Sequence, residues 1–434
     1  MALAGVPTRA IRARAPRISS RASVGPAVIV RRAPGPAWTQ LASSSSSGDR
    51  DRIRCGTRTF AAASDATAAP DAAAPAKLDL KGDELVLVVG GAGRVGRRIV
   101  TRLTSSGCRC RVLTRDPSSS AAVSLLDACP PGTVELTRGD VTERGPEGDA
   151  ALAAAIAGCT QVVACFGAQR LSKITDILGV GSPETNDATH PAAVNHRGVA
   201  RLAALAASAG TVRRFVRVTG MSVGYHPGNF VAVALNAVLS MTITWQLLGE
   251  KAVRDSGLEY TVVRPGNLLE TPRPDGSVVL VGHGDAHVPA GKVSRDDVAE
   301  LIAISMFRAN CADATIGVAG APAPTGGIRS EMAWDPARGM HYRAVEHEET
   351  LYEGTDLDGM LAGVGKDIGE LKEKRHKPFV AAFVSLLCGV GVAFAWGVVV
   401  VLRAAFGKVE GICVDGHVHK IANALRWVRH VDAK

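Results

Sequence analysis

The chain is poor in aromatic residues: Phe, Trp and Tyr make up 4% of its 434 residues. It has no basic stretch interleaved with aromatics on which nucleic-acid bases could stack. Its net charge of +9 is also unevenly placed, because residues 1–48 contain seven Arg and no Asp or Glu. The basic composition therefore does not indicate nucleic-acid binding.

Recognisable metal and disulfide patterns are also lacking. The nine cysteines, at positions 55, 108, 110, 129, 159, 165, 311, 388 and 413, form no Cys-x-x-Cys pair and no Cys/His cluster of zinc spacing. The pair His417 and His419 has no third ligand nearby. The sequence predicts free thiols and no metal site.

The N-terminal segment is rich in Ala, Ser and Arg and lacks the apolar core of a secretory signal, which predicts an organelle transit peptide over residues 1–60. The serine run at 43–47 favours a plastid, whereas Arg58-Thr59-Phe60-Ala61 resembles a mitochondrial cleavage site. A plastid is the preferred interpretation, with the mitochondrial inner membrane as the alternative. An Ala/Pro-rich linker is expected over residues 61–82.

A glycine-rich turn follows an aliphatic run that suits a buried parallel strand, Leu85–Val89. The turn contains Gly90, Gly91, Gly93 and Gly96, and an apolar helix pattern begins directly after it. Glycines at this spacing let the backbone approach a pyrophosphate at a helix N-terminus. A dinucleotide site is therefore predicted at this turn.

Strand and helix patterns alternate from residue 85 to residue 264. This alternation is typical of a doubly wound parallel sheet, so the fold class predicted is α/β, with a Rossmann domain over residues 83–330. A second uncharged stretch, 230–249, is interpreted as a buried helix of that domain because it contains Asn, Thr and Gln.

The region after this domain is predicted to be a polar linker over 331–378, followed by an uncharged stretch over 379–402 and a basic tail over 403–434. Twenty-four uncharged residues are long enough for one transmembrane helix. Lys and Arg are denser before this stretch than after it, which favours a large domain in the stroma or matrix. Small residues recur every four positions and suggest a helix-packing stripe: Ser385, Gly389, Ala393 and Gly397.

Cofactor preference is predicted from the end of the second strand. An NAD-selective site presents a carboxylate there to the ribose 2′-hydroxyl, but the first charged residue in this chain is Arg115. Its guanidinium can pair with a 2′-phosphate, and Arg94 in the glycine turn can add a second contact. NADP(H) is therefore favoured over NAD(H), although Asp116 directly follows and could reverse the preference.

Over residues 84–305 the chain resembles the atypical short-chain dehydrogenase/reductases of the NAD(P)H-binding, NmrA-like kind. The resemblance rests on these motifs: Gly90-Gly91-Ala92-Gly93-Arg94-Val95-Gly96, Leu113-Thr114-Arg115-Asp116, Arg138-Gly139-Asp140-Val141, Val194-Asn195 with Gly198, Arg214-Phe215-Val216-Arg217-Val218-Thr219, the stretch 249–266 and the stretch 293–299.

The resemblance implies roles for individual residues. Asp140 and Val141 would contact the adenine, and Phe166-Gly167 would line the adenosine ribose and pyrophosphate. Lys251 would meet the nicotinamide ribose, and Pro265-Gly266 would flank the nicotinamide. Read without the family, Asp140 could cap a turn, Gly167 could serve loop geometry and Lys251 could pair with Glu250 on a solvated helix face.

The chain departs from the catalytic pattern of the family. The proton-transferring Tyr normally stands four residues before the Lys, where this chain has Leu247. Thr219, Ser222 or Tyr225 could substitute, and Lys251 could support a hydride transfer whose proton comes from water or substrate. Two hypotheses follow: a membrane-tethered reductase of an apolar substrate, or a non-catalytic NADP(H)-dependent scaffold or sensor for a membrane complex.

Overall fold

A computed structural model gives the fold of the chain. It describes residues 76–80, 82–173, 176, 186–274, 277–284, 288–289, 291–321, 333–335, 340–344, 350–369 and 376–406. The predicted transit peptide and most of the linker that follows it lie outside the described residues. Within that linker, residues 76–80 are described, and Leu78 is buried in the domain core.

Thirteen strands are described. They are β1 (Leu85–Val89), β2 (Arg109–Thr114), β3 (Val134–Arg138), β4 (Gln161–Ala164), β5 (Arg214–Val218), β6 (Glu259–Pro265), β7 (Asn267–Leu269), β8 (Val278–His283), β9 (Lys292–Ser294), β10 (Ala314–Ala321), β11 (Ala333–Asp335), β12 (Met340–Ala344) and β13 (Thr350–Gly354).

The α-helices described are α1 (Gly96–Ser105), α2 (Ser120–Ala128), α3 (Pro146–Ile156), α4 (Gly198–Ala209), α5 (Phe230–Val238), α6 (Thr242–Arg254), α7 (Arg295–Ser305), α8 (Leu357–Leu361) and α9 (Lys377–Phe406). A π-helical segment, Ala192–Arg197, leads into α4, and 3-10 turns lie at Met221–Val223 and Ala309–Cys311.

The main sheet has the order β3-β2-β1-β4-β5-β6-β10-β8-β13-β12-β11. The strands from β3 to β10 in this order pair in parallel. The order reverses at β1, which lies between β2 and β4, so the glycine turn after β1 opens at the topological switch point. Ligands of doubly wound sheets bind at this position. The predicted Rossmann-type α/β fold is confirmed.

Helices cover both faces of the sheet. One face packs Val86 and Val88 against α1, α2 and α7, and the other packs Leu87 and Val89 against α3, α4 and α6. All four of these β1 residues are at most 4% exposed, which explains the continuous aliphatic run. The core thus holds β1 and the turn after it in a fixed position.

The segment predicted as a polar linker, 331–378, contributes strands to the sheet, which corrects that prediction. β13 pairs antiparallel with β8, β12 with β13, and β11 with β12. Leu351 and Tyr352 of β13 are buried. The folded domain therefore extends beyond residue 330, because these short strands add to the side of β8 that β10 does not cover.

The stretch predicted as one buried helix, 230–249, is two helices. α5 and α6 meet at 97°, and Ser240 and Met241 at the corner have positive φ angles of 51° and 59°. The side-chain oxygen of Asn236 accepts hydrogen bonds from the Ile243 and Thr244 N–H groups, which ties the two helices together. The outer face of α5 is exposed, so this helix is only partly buried.

The C-terminal helix α9 runs for 30 residues. In the described part of the chain, no single helix is both long and apolar enough to cross a bilayer; α5 and α6 together reach that length and composition. The predicted transmembrane helix over 379–402 is therefore not supported. In the predicted packing stripe, Ser385 and Gly389 are exposed, and the side chains of Ala393 and Gly397 lie outside the described set. Residues 407–434 of the predicted tail are also outside it.

Candidate functional site

The turn between β1 and α1 is packed so tightly that its glycines are required. Gly90 has a φ of +87°, and a Cβ there would stand 3.0 Å from the Cys165 carbonyl oxygen. A Cβ at Gly96 would overlap the carbonyl oxygen of Gly90. In this fully described stretch, no side chain caps α1 and its first turn has no acidic residue. Backbone N–H groups at a helix N-terminus therefore face the switch point, which fits the pyrophosphate of a dinucleotide.

Arg94 and Val95 complete the glycine turn. The Arg94 guanidinium forms a 3.0 Å ion pair with Glu270, on the segment after β7, and its side chain is 69% exposed. Arg98 and Arg295 also contact Glu270. A cleft of about 580 Å³ runs from this cluster along α1 and α7. Arg94 is thus held toward α7, and its predicted contact with a 2′-phosphate would require it to leave Glu270.

Arg115 follows β2 and is exposed. Asp116 folds back on its own turn, where its carboxylate accepts hydrogen bonds from the Ser118 N–H at 2.9 Å and the Ser118 hydroxyl at 2.6 Å. These hydrogen bonds lower the pKa of Asp116. Asp116 is the carboxylate that would favour NAD(H) by binding the ribose 2′-hydroxyl. It is therefore already hydrogen-bonded within its own turn.

Asp140 and Val141 follow β3. The Asp140 carboxylate accepts hydrogen bonds from the Thr142 N–H at 2.8 Å and from its hydroxyl at 2.7 Å, so it caps a turn. Val141 is 8% exposed and packs against α4, where a Cβ at Gly198 would stand 3.0 Å from its Cγ2. This turn lies at the same sheet edge as the glycine turn.

Phe166 and Gly167 follow β4 and are held by Asn195 of the π-helical segment. The Asn195 side-chain oxygen accepts a 3.0 Å hydrogen bond from Ala168 N–H, and its amide donates to the Thr242 hydroxyl at 3.1 Å. Asn195 is fully buried. π-Helical turns often occur at functional sites, and this one links the loop after β4 to α6.

Arg217 of β5 is also fully buried and lies beneath this loop. Its guanidinium donates to the carbonyl oxygens of Ala164 at 3.2 Å and Phe166 at 2.9 Å, and lies 5.1 Å from the centre of the Phe166 ring. Burial lowers the pKa of Arg217 to about 10, against the opposing effect of the Glu250 charge. Arg217 was not among the predicted site residues; the signal for it in the sequence is a charged residue between the two valines of β5.

Glu250 lies at the centre of a buried charge cluster at the ends of β5 and β6. Its carboxylate accepts hydrogen bonds from Arg264 at 2.6 and 3.1 Å and from the Thr219 hydroxyl at 2.7 Å, and pairs with Arg254 at 3.3 Å. Burial alone would raise the pKa of Glu250, but the charge and hydrogen bonds of Arg264, with Arg254 and Thr219, lower it to about 2. Glu250 is therefore ionised at neutral pH.

The predicted catalytic residues are engaged in other contacts. The Thr219 hydroxyl donates to Glu250, and the exposed Lys251 ammonium pairs with Asp255 at 2.8 Å. Leu247 is 5% exposed and packs with Val223. In the described residues, no tyrosine stands where the family places its proton donor.

Pro265 and Gly266 end β6 beside an apolar cluster. A Cβ at Gly266 would stand 2.5 Å from the Gly291 carbonyl oxygen and 3.5 Å from the Ala319 Cβ. Ala319 packs with Met221, Leu280, Val288 and Leu351. Tyr225 packs against the same cluster, and burial raises the pKa of its hydroxyl. The expected nicotinamide position therefore stands next to a buried apolar cluster.

The segment after β5 contains a Gly-x-Ser-x-Gly pattern that the sequence-based predictions did not include, Gly220-Met221-Ser222-Val223-Gly224. In nucleophile elbows, this pattern joins a strand directly to a helix. Here the segment forms a 3-10 turn, and α5 begins only at Phe230. This segment therefore lacks the direct strand-to-helix connection of a nucleophile elbow.

Comparison with known proteins identifies the family. The family described as NAD(P)H-binding matches residues 90–308, about half of the chain. The chain belongs to this NAD(P)H-binding family. The match includes the glycine turn and the ends of β2 to β6 and supports binding of a nicotinamide cofactor by this domain. The predicted resemblance to atypical short-chain dehydrogenase/reductases is confirmed.

Curated relatives of this NAD(P)H-binding protein include chloroplast proteins. It is 30% identical over 240 residues to protein TIC 62, chloroplastic, of Pisum sativum, covering 53% of this chain and 41% of that protein. It is 32% identical over 220 residues to an uncharacterized chloroplastic protein of Arabidopsis thaliana, covering 50% of this chain and 69% of that protein. The chain thus spans less than half the length of the pea relative.

Solved structures with similar folds include a short-chain dehydrogenase/reductase from Veillonella parvula in complex with NADP. It has 16% identity and a TM-score of 0.40, and the match covers 54% of this chain and 94% of that one. The oxidoreductase ylbE from Lactococcus lactis matches with 18% identity and a TM-score of 0.39, over 55% and 91% of the two chains.

Proposed function

We propose that this NAD(P)H-binding protein is an NADP(H)-dependent reductase that works at a plastid membrane on an apolar substrate, such as a quinone, a pigment precursor or an isoprenoid. The observation that carries the proposal is the apolar cluster around Ala319 and Leu351, next to Gly266 at the expected nicotinamide position. Apolar surroundings at this position favour an apolar acceptor over a charged one.

The preference for NADP(H) is supported by the end of β2. The exposed Arg115 is available for a 2′-phosphate, whereas Asp116 is engaged by Ser118. A guanidinium binds a phosphate through paired, charge-assisted hydrogen bonds. Arg115→Ala should therefore weaken NADPH binding more than NADH binding.

Localisation at a plastid membrane is supported by two observations. The relatives from Pisum sativum and Arabidopsis thaliana are chloroplastic by name. The first fifteen residues of α9, Lys377–Gly391, form an apolar helix. Lys and Arg are denser before residue 379 than after residue 402, which favours a stromal domain.

The chemistry proposed needs only limited help from protein side chains. A bound nicotinamide supplies the hydride, and the proton comes from water or from the substrate. Asn195 and Arg217 hold the loop after β4, and Glu250 fixes Arg264 and Thr219 at the ends of β5 and β6. These residues hold the loop and the strand ends that would bind and orient the cofactor. None of them replaces the proton-transferring tyrosine of the family.

The second candidate function is a non-catalytic NADP(H)-dependent sensor or scaffold for a membrane complex, with the small-residue stripe on α9 as the partner surface. It is favoured by Leu247, which is buried in apolar contacts where the family has its tyrosine. Such a site would keep the cofactor as a ligand without turnover.

The experiment that separates these functions is a titration of NADPH and NADH into the full chain and its Leu247→Tyr variant. Nicotinamide fluorescence reports binding, and acceptor-dependent NADPH oxidation with short-chain quinones reports turnover. Binding with turnover in the wild type supports the reductase. Tight binding without turnover, with activity only in Leu247→Tyr, supports the sensor. Absence of NADPH binding contradicts both.

A further inference from the structure

Exposed large apolar side chains are concentrated in one region of the protein. Among the described residues, eleven such side chains are exposed, and nine of them lie in three neighbouring segments. Leu171 is one, Phe230, Val231 and Val238 are on α5, and five more are on α9. Soluble surfaces normally scatter such residues, so a cluster marks an interaction surface.

Direct contacts join the three segments. Ser172, next to Leu171, donates its N–H to the Val238 carbonyl oxygen at 2.7 Å. The start of α9 packs on α5, where Val380 is buried against Val233 and Ala237. The rings of Phe230 and Phe383 stand 6.0 Å apart. Leu171, α5 and the first turns of α9 therefore form one continuous surface, here called the apolar face.

α9 extends this face away from the domain. From Ser385 to Gly391 every side chain is exposed, and Leu386 and Val390 are at least 60% exposed. A helix that is apolar on all sides normally lies within a protein core or in lipid. A groove of a protein partner would cover one side of such a helix, whereas lipid covers all sides.

We propose that the apolar face rests in the interfacial region of a lipid bilayer, with the exposed turns of α9 up to Gly391 at the same interface. This inference builds on the proposed membrane location and adds the orientation of the domain. The sequence at and before the start of α9 contains Lys372, Lys374, Arg375 and Lys377, a basic composition that favours anionic headgroups. The buried aromatic and aliphatic area supplies the affinity.

This orientation places the site beside the membrane. α5 is tied through Asn236 to the start of α6, and Thr242 at that start binds Asn195, which holds the loop after β4. The apolar face and the loop after β4 are thus both connected to the corner between α5 and α6. A lipid-soluble substrate reaches the site at this corner without crossing bulk water.

Hydrogen exchange of the full chain, with and without vesicles of phosphatidylcholine and phosphatidylglycerol, tests the proposal. Vesicles should slow exchange in α5 (230–238) by about tenfold or more and leave α2 (120–128) unchanged, since burying one Phe is worth at least that factor. Phe230→Asp should abolish the slowing. Val123→Asp, which changes an exposed apolar residue on α2, is the matched control and should preserve it.

The alternatives give different results. If the chain floats with vesicles but α5 exchange is unchanged, α9 anchors the protein without docking, and the inference fails while the proposed location survives. If the chain does not bind vesicles, both fail. If α5 becomes protected without lipid as protein concentration rises, a second copy covers the face and the bilayer is excluded. NADPH binding, measured separately, is unaffected by any of these outcomes.

Discussion

At the scale of single residues, Glu250 is the most constrained group at the candidate site. Its side chain is fully buried and accepts hydrogen bonds from Arg264, while Arg254 lies one helical turn away. Arg217 adds a further buried positive charge nearby. Removing this carboxylate leaves Arg264 and Arg217 without its negative charge in a low-dielectric environment, whereas Arg254 keeps its 3.5 Å ion pair with Asp367.

Glu250→Gln should therefore lower the free energy of unfolding by about 3–5 kcal/mol, measured by urea denaturation near neutral pH. Asp255→Asn is the control, because Asp255 forms an exposed ion pair with Lys251. This substitution should lower the free energy of unfolding by less than about 1 kcal/mol. Equal losses in the two variants would contradict the central role of the Glu250 carboxylate.

The same residue gives a pH dependence in acid. Its folded pKa of about 2 is below its ordinary value of 4.5, so its contribution is complete above 4.5 and is lost as pH falls toward 2. The wild type should lose stability over this range more steeply than Glu250→Gln. Parallel acid profiles of the two proteins would show that another carboxylate is responsible.

At the scale of secondary-structure elements, the π-helical segment 192–197 connects the cofactor loop to α6. Asn195→Ala removes the acceptor of Ala168 N–H and the donor to Thr242. We expect a stability loss of about 1–3 kcal/mol and weaker NADPH binding, because the loop after β4 is no longer held. Nicotinamide fluorescence and urea denaturation measure the two effects.

Asn310→Ala provides the matched control for this prediction. Its amide also makes two hydrogen bonds, to the carbonyl oxygens of Leu361 and Val364, but at the far end of the domain from the glycine turn. It should lose comparable stability and keep its NADPH affinity. If both variants lose affinity equally, Asn195 acts only through global stability.

Elements also differ in how far the sequence predicts them. The turn after β1 was predictable because its glycines and strand are contiguous. The corner between α5 and α6 was not, because Ser240 and Met241 adopt positive φ without a glycine or proline to signal it. The Glu250–Arg264 pair joins a helix to a strand fourteen residues away, and β11–β13 form only because β8 offers an open edge. Because these features depend on tertiary contacts, no local sequence pattern predicts them.

At the scale of the whole molecule, the sheet and its covering helices enclose several cysteine thiols. Burial raises the pKa of Cys108, Cys159 and Cys311 to about 11 and that of Cys165 to about 12, and holds that of Cys110 well above its ordinary value of 9.0. Cys110 lies on β2 and Cys108 directly before it, Cys165 directly follows β4, and Cys159 and Cys311 lie in the segments after α3 and α7. Folding therefore keeps these thiols protonated to a higher pH than in the unfolded chain.

We expect the free energy of unfolding to fall as pH rises above 9. A thiol whose pKa is higher in the folded chain contributes fully below its unfolded value of 9.0, and this contribution is lost as pH rises through the folded value. Each such thiol should cost about 1 kcal/mol between pH 9 and pH 10. Urea denaturation at several alkaline pH values measures the slope.

Lysines and tyrosines also titrate in alkali, but they do so in every variant. Comparing variants therefore isolates the contribution of the thiols to the pH dependence of the free energy of unfolding. Cys110→Ala and Cys311→Ala should each flatten the alkaline slope, whatever constant packing loss they add. Cys388→Ala changes an exposed cysteine on α9 and should leave the slope unchanged. Identical slopes in all four proteins would mean that the buried thiols do not link alkaline pH to unfolding, and the loss would then belong to the surface charges.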